Sequence, residues 1–346
     1  MKAAVLIEAG KPLQIEQIHI SNPGPHEVLI RTAACGLCHS DLHFIEGTYP
    51  HPLPAIPGHE AAGIVEAVGS EVRTVKVGDA VVTCLSAFCG HCEYCVTGRM
   101  SLCLGGETRR KPGEAPRLTR PDGSIVNQML NLSAYAEMML VHEHACVAIN
   151  PEMPLDKASV IGCAVTTGAG TIFNACKVTP GETIAVIGCG GVGLATINAA
   201  KIAGAGRIIA ADPMPEKRAL AMKLGATDVI DPMDADAAKQ IQELTKGGVD
   251  HAIEAVGRPA SGELAVKSLK RGQTLAQATE VYRGDIGDGG YGVSPSVFRD
   301  ATGAARARNH RGDGGVRQRE LQAGRLHAHA MPIGNGLDVR HPGQDG

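Results

Sequence analysis

Four cysteines fall within fifteen residues, CGHCEYCVTGRMSLC, at Cys89, Cys92, Cys95 and Cys103. Successive thiols are separated by two, two and seven residues. Four thiolates suit a tetrahedral zinc ion, and two-residue spacers let a tight turn aim neighbouring sulfurs at one point. Gly90, Gly98 and the polar filler predict a loop here rather than a helix or strand. Four protein ligands leave no open position, so such a site is structural. Two other readings stand beside it. One is a chance cluster of buried or redox thiols. The other is a zinc ribbon for nucleic acid, which the few basic residues of the lobe disfavour.

A second set is spread along the chain. Residues 35–43 read CGLCHSDLH, residues 57–63 read PGHEAAG and residues 162–168 read GCAVTTG. A catalytic zinc takes three protein ligands and keeps one position open for water or substrate. Cys38, His59 and Cys163 supply such a set of two thiolates and one imidazole. Asp41 and Glu60 lie beside these ligands and are candidates to orient the His59 ring by hydrogen bonding. Each piece alone has a plainer reading. A histidine after Pro-Gly is commonly a turn residue, and a lone cysteine is commonly a small core residue.

The third feature is IAVIGCGGVGLATINAAKIAGAGRIIAAD, residues 184–212. IAVIG is a short apolar run of the kind that forms a buried parallel strand. Gly188, Gly190 and Gly193 match G-x-G-x-x-G, with Gly191 and Val192 between them. LATINAAKIAGA predicts a helix and RIIAAD a second strand ending at Asp212, which lies 19 residues after Gly193. Glycines permit the tight turn and the close approach of backbone to a pyrophosphate, while the helix N-terminus favours its charge. The terminal acid takes the ribose hydroxyls and repels a 2′-phosphate, so NAD is favoured over NADP. No arginine follows Asp212 until Arg218, which agrees. A Gly-rich turn in some other α/β protein is the plainer alternative, but strand, glycines, helix, strand and acid occur here in order.

These pieces together resemble the zinc-dependent alcohol dehydrogenases of the medium-chain dehydrogenase/reductase family. The matching segments are CGLCHSDLH, PGHEAAGIVEAVG, VKVGDAV, the four-cysteine lobe, GCAVTTG, GCGGVG and the Asp212 strand end, in the family's order over residues 1–270. The resemblance implies a catalytic zinc on Cys38, His59 and Cys163, and a structural zinc on Cys89, Cys92, Cys95 and Cys103. It implies that Ser40 and His43 relay a proton, that His39 contacts the pyrophosphate and that Thr167 contacts the nicotinamide. Lys217 is implied to help hold the adenosine ribose beside Asp212. The long polar segment between Cys103 and NLSAYAE is similar to the longer members, the glutathione-dependent formaldehyde dehydrogenases among them. The implied reaction moves a hydride between an alcohol, or its aldehyde or ketone, and NAD. A polyol or S-hydroxymethylglutathione dehydrogenase, or a non-catalytic nucleotide-binding relative, are the alternatives. The intact Cys38, His59, Cys163, Ser40 and His43 set disfavours the last, because a scaffold needs none of them. Dimers or tetramers of identical chains are implied as well.

The elements that must position these residues fit two domains. Residues 1–163 alternate short strands (PGPHEVLIR, GIVEAVG, DAVVT) with Gly/Pro turns, which predicts a β-rich domain. Residues 164–270 alternate helices and strands, which predicts a doubly wound parallel sheet. In the family's terms this is an α/β chain, with a GroES-like catalytic domain carrying the 89–103 lobe and a Rossmann coenzyme domain.

Composition narrows the partners. The 346 residues carry 33 Lys and Arg against 36 Asp and Glu, a net charge of −3. That gives no reason to expect nucleic acid or an anionic membrane. Trp is absent and aromatics are 3%, which disfavours a base-stacking platform. No apolar run reaches the 18 or so residues of a membrane span, and the start, MKAAVLIEAGK, does not read as a secretory signal. The expected compartment is the cytoplasm, with the 11 cysteines as thiols or metal ligands.

Residues 271–346 break the pattern. All 13 lysines lie at or before Lys270, whereas the tail carries 10 arginines and no lysine. Leu, Ile, Val and Phe are 12 of its 76 residues, below the level that supports a packed core. No hydrophobic strand is recognisable after Arg271. The tail reads as out of frame from about Arg271, or as a divergent or disordered segment.

Overall fold

The computed structural model describes residues 1–103, 105–111 and 113–278, together with the backbone of Ser296–Phe298. The chain divides into two compact units, one over Met1–Asp156 and one that begins at Lys157.

The first unit is built on a five-stranded sheet. Its strands are β1 (Glu27–Gly36), β2 (Glu60–Val68), β3 (Ala80–Thr83), β4 (Met138–His142) and β5 (Cys146–Ala148). Their order is β4-β1-β2-β3-β5, and every pairing is antiparallel. Val28 and Ile30 of β1, Val65 of β2, Val81 of β3 and Met139 and Val141 of β4 pack with Leu132 and Ala134 in one core. These β-branched and apolar side chains sit well on a pleated, half-buried surface. A second core of Ala3, Val5, Ile18, Ile56, Leu118 and Val126 closes the N-terminal strands against the segment after the cysteine lobe. That segment is tied down by charge as well. The buried Glu27 carboxylate takes Arg117 Nε at 2.6 Å and Arg110 at 2.5 Å. A buried carboxylate is tolerable only with such partners.

Helix α1 (His39–Ile45) follows β1 directly. Cys38 stands at its N-cap, and Asp41 at its third position reaches back to the Cys38 N–H. The bond satisfies one of the donors that a helix start leaves unpaired.

The second unit carries a sheet of β6 (Thr183–Ile187), β7 (Arg207–Ala211), β8 (Asp228–Ile230), β9 (Val249–Glu254) and β10 (Leu269–Gln277). The order is β8-β7-β6-β9-β10, all parallel, with Ser296–Phe298 antiparallel at the far edge. Alternate residues of β6 feed two cores. Ile184 and Val186 join Ile197 and Ala200 of α3 (Gly191–Ile202), following α2 (Ala164–Gly170). Ala185 and Ile187 join Ile241 of α5 (Ala237–Leu244) and Leu264 and Ala265 of α6 (Pro259–Ser268), with α4 (Pro215–Leu224) between α3 and α5 in the chain. Both faces of β6 are therefore buried, which is why IAVI reads as a continuous apolar run. Strand order reverses between β6 and β9, the place where such sheets open a crevice at their carboxyl ends.

Two local expectations change. The cysteine lobe is not all loop: Glu93–Val96 makes one helical turn and Met100–Leu102 a 3-10 turn. Helical spacing sets Cys92 and Cys95, three apart, on the same side. Strand β10 is also new, because the sequence shows no strand beyond Arg271. Its letters, LKRGQTLAQ, hide the alternation. Gly272 adopts φ 77° and the pairing with β9 shifts register between Val249 and His251. Only then do Thr274 and Ala276 turn inward as buried residues. The tail expectation otherwise lies outside the described residues.

Candidate active site and metal centres

The four sulfurs of Cys89, Cys92, Cys95 and Cys103 lie within 4.8 Å of one another. Cys92 and Cys95 are 3.4 Å apart, Cys89 and Cys95 3.9 Å, and Cys92 and Cys103 3.9 Å. A tetrahedron of about 2.3 Å zinc–sulfur bonds has edges of roughly 3.8 Å. Backbone N–H groups point at the sulfurs: Cys92 donates to Cys89 at 3.4 Å, and Cys89 and Gly105 donate to Cys103 at 3.2 and 3.4 Å. Donation from the His91 and Cys92 backbones draws the Cys89 thiol down to about 6. Burial, with its sulfur neighbours, pushes Cys95 up to about 12. Four sulfurs so crowded cannot all ionise unless a cation shares their charge. The residues fit a zinc ion.

The lobe is anchored from outside. His144, just after β4, stacks on Phe88 with ring centroids 4.4 Å apart, and its Nδ1 meets the Phe88 carbonyl at 2.6 Å. His142 lies 5.0 Å from His144.

In the first unit, ligand-type atoms of Cys38, His59 and Glu60 again lie within 4.8 Å of one another, and Cys163 stands at the N-cap of α2 in the second unit. His59 is 1% exposed. Its Nδ1 meets Asp41 Oδ1 at 2.9 Å, and its Nε2 is buried with no hydrogen-bond partner. Burial opposes a charge on this ring. The Asp41 bond and the Cys38 sulfur outweigh burial and push the imidazole up to about 10. The surroundings therefore favour positive charge at Nε2, the atom a metal ion takes in place of a proton. These residues also fit zinc. Asp41 does more than the sequence suggests: Oδ1 also accepts the Gly58 N–H at 3.0 Å, and Oδ2 accepts the Tyr135 hydroxyl at 3.1 Å. Glu60, expected beside Asp41 as an orienting carboxylate, lies within the ligand group.

Ser40 is buried on the first turn of α1, with the Cys38 thiol 3.6 Å from its hydroxyl. His43 lies one turn on, 4.9 Å from His39 and stacked on Tyr49 at 5.2 Å. Thr167 sits in α2, where its N–H bonds the Cys163 carbonyl at 2.8 Å. Tyr135 is the residue that sequence reasoning misses. NLSAYAE gives no periodic or spacing signal for it, and only the fold brings it to Asp41.

In the second unit, the chain turns at Gly188 and α3 starts at Gly191 with Gly190 as N-cap. The first N–H groups of α3, at Gly191, Val192 and Gly193, belong to the turn that a helix leaves unpaired and that attracts phosphate. A Cβ on Gly193 would come 1.8 Å from the Gly188 carbonyl oxygen, so no side chain fits there. Asp212 is 4% exposed. Its oxygens accept the Cys189 and Met214 N–H groups at 2.9 Å each, and Lys217 Nζ lies 4.0 Å away. Arg218 is engaged elsewhere: it donates to the Asp212 and Pro213 carbonyls at 2.6 and 3.0 Å and to Asp231 at 3.0 Å.

Residues 24–151 match the alcohol dehydrogenase GroES-like domain, and residues 191–284 match the zinc-binding dehydrogenase domain. The S-(hydroxymethyl)glutathione dehydrogenase of Synechocystis sp. is 40% identical over 277 residues, 78% of this chain and 75% of that protein. The chain belongs to the zinc-binding alcohol dehydrogenase family. Its fold is the family's GroES-like domain joined to a Rossmann-type domain, and it is an oxidoreductase of the alcohol dehydrogenase type. Among solved structures, benzyl alcohol dehydrogenase from Acinetobacter calcoaceticus is 35% identical with a TM-score of 0.75, covering 83% of this chain and 78% of its own. A putative zinc-binding dehydrogenase from Sinorhizobium meliloti, bound to NADP, is 27% identical with a TM-score of 0.67, covering 84% of this chain and 79% of its own. This dehydrogenase carries both a cysteine-rich lobe and a separate Cys/His group. Among its described residues, no single helix is long and apolar enough to cross a membrane.

Proposed function

We propose that this dehydrogenase oxidises an alcohol with NAD, with one catalytic and one structural zinc ion per chain. Residues 1–163 supply the catalytic domain and 164–270 the coenzyme domain in this reading. Cys38, His59 and Cys163 hold the catalytic ion, and Cys89, Cys92, Cys95 and Cys103 the structural one. The observation that carries the reading is the state of His59: Nδ1 fixed by Asp41, Nε2 buried, unpartnered and facing negative charge. An imidazole so oriented is a metal ligand with its outer nitrogen already engaged.

Bound zinc supplies a Lewis acid that makes an alcohol acidic near neutral pH. NAD supplies the hydride acceptor. The protein's own residues do the rest. Ser40 Oγ takes the substrate proton inside the buried site, and the His43 ring, whose nitrogens can accept and donate a proton, passes it toward water. The first N–H groups of α3, with His39, hold the pyrophosphate. Asp212 and Lys217 hold the adenosine ribose, and Thr167 borders the nicotinamide. The engagement of Arg218 with Asp231 and two carbonyls supports NAD over NADP, since that guanidinium at the end of β7 is already held by other acceptors. Assembly into a dimer or tetramer and a cytoplasmic location belong to the same proposal.

The kinship at 40% identity favours one further substrate, S-hydroxymethylglutathione. NADH formation with primary, aromatic and secondary alcohols and with S-hydroxymethylglutathione, with and without a zinc chelator, tests the proposal. Chelator-sensitive turnover is the expected result. Turnover unaffected by full zinc removal would contradict it.

A further inference from the structure

Glu254 ends β9 at the point where strand order reverses. It is 1% exposed, and its Oε1 accepts three hydrogen bonds: from Val256 N–H at 2.8 Å, from Gly257 N–H at 2.8 Å and from the Ser261 hydroxyl at 2.8 Å. Ser261 in turn accepts the Arg258 N–H at 3.2 Å at the start of α6. One carboxylate oxygen therefore gathers the whole turn from Ala255 to Ser261. The backbone of Glu254 and its neighbour is pinned too. Ala255 N–H bonds the Ile187 carbonyl and Ala278 N–H bonds the Glu254 carbonyl, both at 2.8 Å.

This turn packs directly against the glycine turn. Gly188 has φ 99°, and a Cβ there would lie 2.5 Å from Val256 Cγ2 and 2.9 Å from the Ala255 carbonyl oxygen. In a doubly wound sheet, a dinucleotide lies in the crevice at this reversal, outside the carboxyl ends of the strands. The Gly188–Gly193 turn and the Ala255–Gly257 turn follow the carboxyl ends of β6 and β9, the two strands at this reversal.

We propose that Glu254 is a positioning residue for the coenzyme: its carboxylate holds Ala255–Gly257 against Gly188 and so fixes the width of the dinucleotide crevice. This rests on the coenzyme reading given above. The device is economical in sequence, because a short turn rich in small residues cannot hold its own shape. Two adjacent N–H groups converge on one acceptor, and a buried side chain without an acceptor would leave both unpaired.

The test is NADH binding followed by the fluorescence of bound NADH, with melting temperature measured on the same samples. Glu254→Met keeps length and packing but removes the acceptor. Glu254→Gln keeps a carbonyl oxygen at the same place. The expected result is an NADH dissociation constant raised about tenfold in E254M, equivalent to about 1.4 kcal/mol, and no more than about threefold in E254Q. The turnover rate at saturating coenzyme changes far less than the Michaelis constant for NAD. Binding by E254M within twofold of the unaltered chain would overturn the proposal. So would equal weakening in both variants in step with a lower melting temperature, which marks a purely structural role. If E254M does not fold, Ser261→Ala decides: a two- to threefold weaker binding supports the proposal and unchanged binding overturns it. Failure of the unaltered chain to bind NADH would overturn the coenzyme reading, and this proposal with it.

Discussion

The cysteine lobe and the Cys38/His59 group both offer a metal ion cysteine sulfur, but in opposite ways. In the lobe, all four ligands lie between residues 89 and 103, and the sulfurs are oriented by N–H groups of the same short segment. In the other group, the donor residues are far apart in the chain, Cys38 and His59 among them, and His59 is oriented by Asp41, a carboxylate that also accepts from Gly58 and Tyr135. Val96 and Met100 of the lobe are exposed, so a bound metal is expected to hold its shape. Cys38 and His59 are carried by elements with apolar cores of their own. The difference teaches that a closed, local site should govern stability, and an open, dispersed site should govern chemistry.

Exchanging single ligands breaks the comparison most sharply. Cys38→Ser should lower the rate of NADH formation by about a thousandfold or more while leaving melting within a few degrees. Cys95→Ser should do the reverse in kind, with melting lowered by about 10 °C or more and activity lost in proportion to unfolding. Paired calorimetry and rate measurements on both variants check this. Equal loss of melting temperature in the two would erase the distinction.

Asp41→Ala comes next. Loss of a partner that orients a ligating imidazole costs about ten- to a hundredfold in metal affinity or activity. Competition with a chromogenic chelator should show that loss at one ion per chain, with the lobe's ion unaffected. At Asp212, replacement by Ser should weaken NAD binding about tenfold and improve NADP relative to NAD, read from the two coenzymes' Michaelis constants.

A pH effect sharpens the comparison from the lobe's side. Burial and the neighbouring His144 hold His142 down to about 4. The folded state thus favours the neutral ring, so below the ordinary imidazole value near 6.5 the unfolded chain binds more protons. Stability from this group is complete above about 6.5 and falls away as pH drops toward about 4. Melting temperature should decline across that window, and His142→Asn should flatten the decline. An unchanged slope would show that this stack does not brace the lobe. The smallest effect belongs to Tyr135→Phe, which removes one hydrogen bond to Asp41 and should cost about 1 kcal/mol or less, a few-fold in rate or metal affinity.

Much of this was legible from residue types and spacing. The lobe's ligands could be read because they are contiguous, and the glycine turn because strand, turn, helix and Asp212 follow one another in the chain. Cys38, His59 and Cys163 could be picked out only in company, since their meeting depends on the fold. Tyr135 was invisible because its partner, Asp41, is 94 residues away. Glu254 gives no signal in the sequence, because its three bonds depend on a turn that no letter announces. Strand β10 escaped notice because Gly272 and a register shift interrupt its alternation. The helical turn at Glu93–Val96 was masked by the glycines on either side of it.

The most direct test of two unlike metal centres is zinc content per chain, measured by atomic emission on the unaltered dehydrogenase and on His59→Ala. The account predicts two zinc ions in the first and one in the second, with the second still folded. Two ions in both, or none in either, would contradict it.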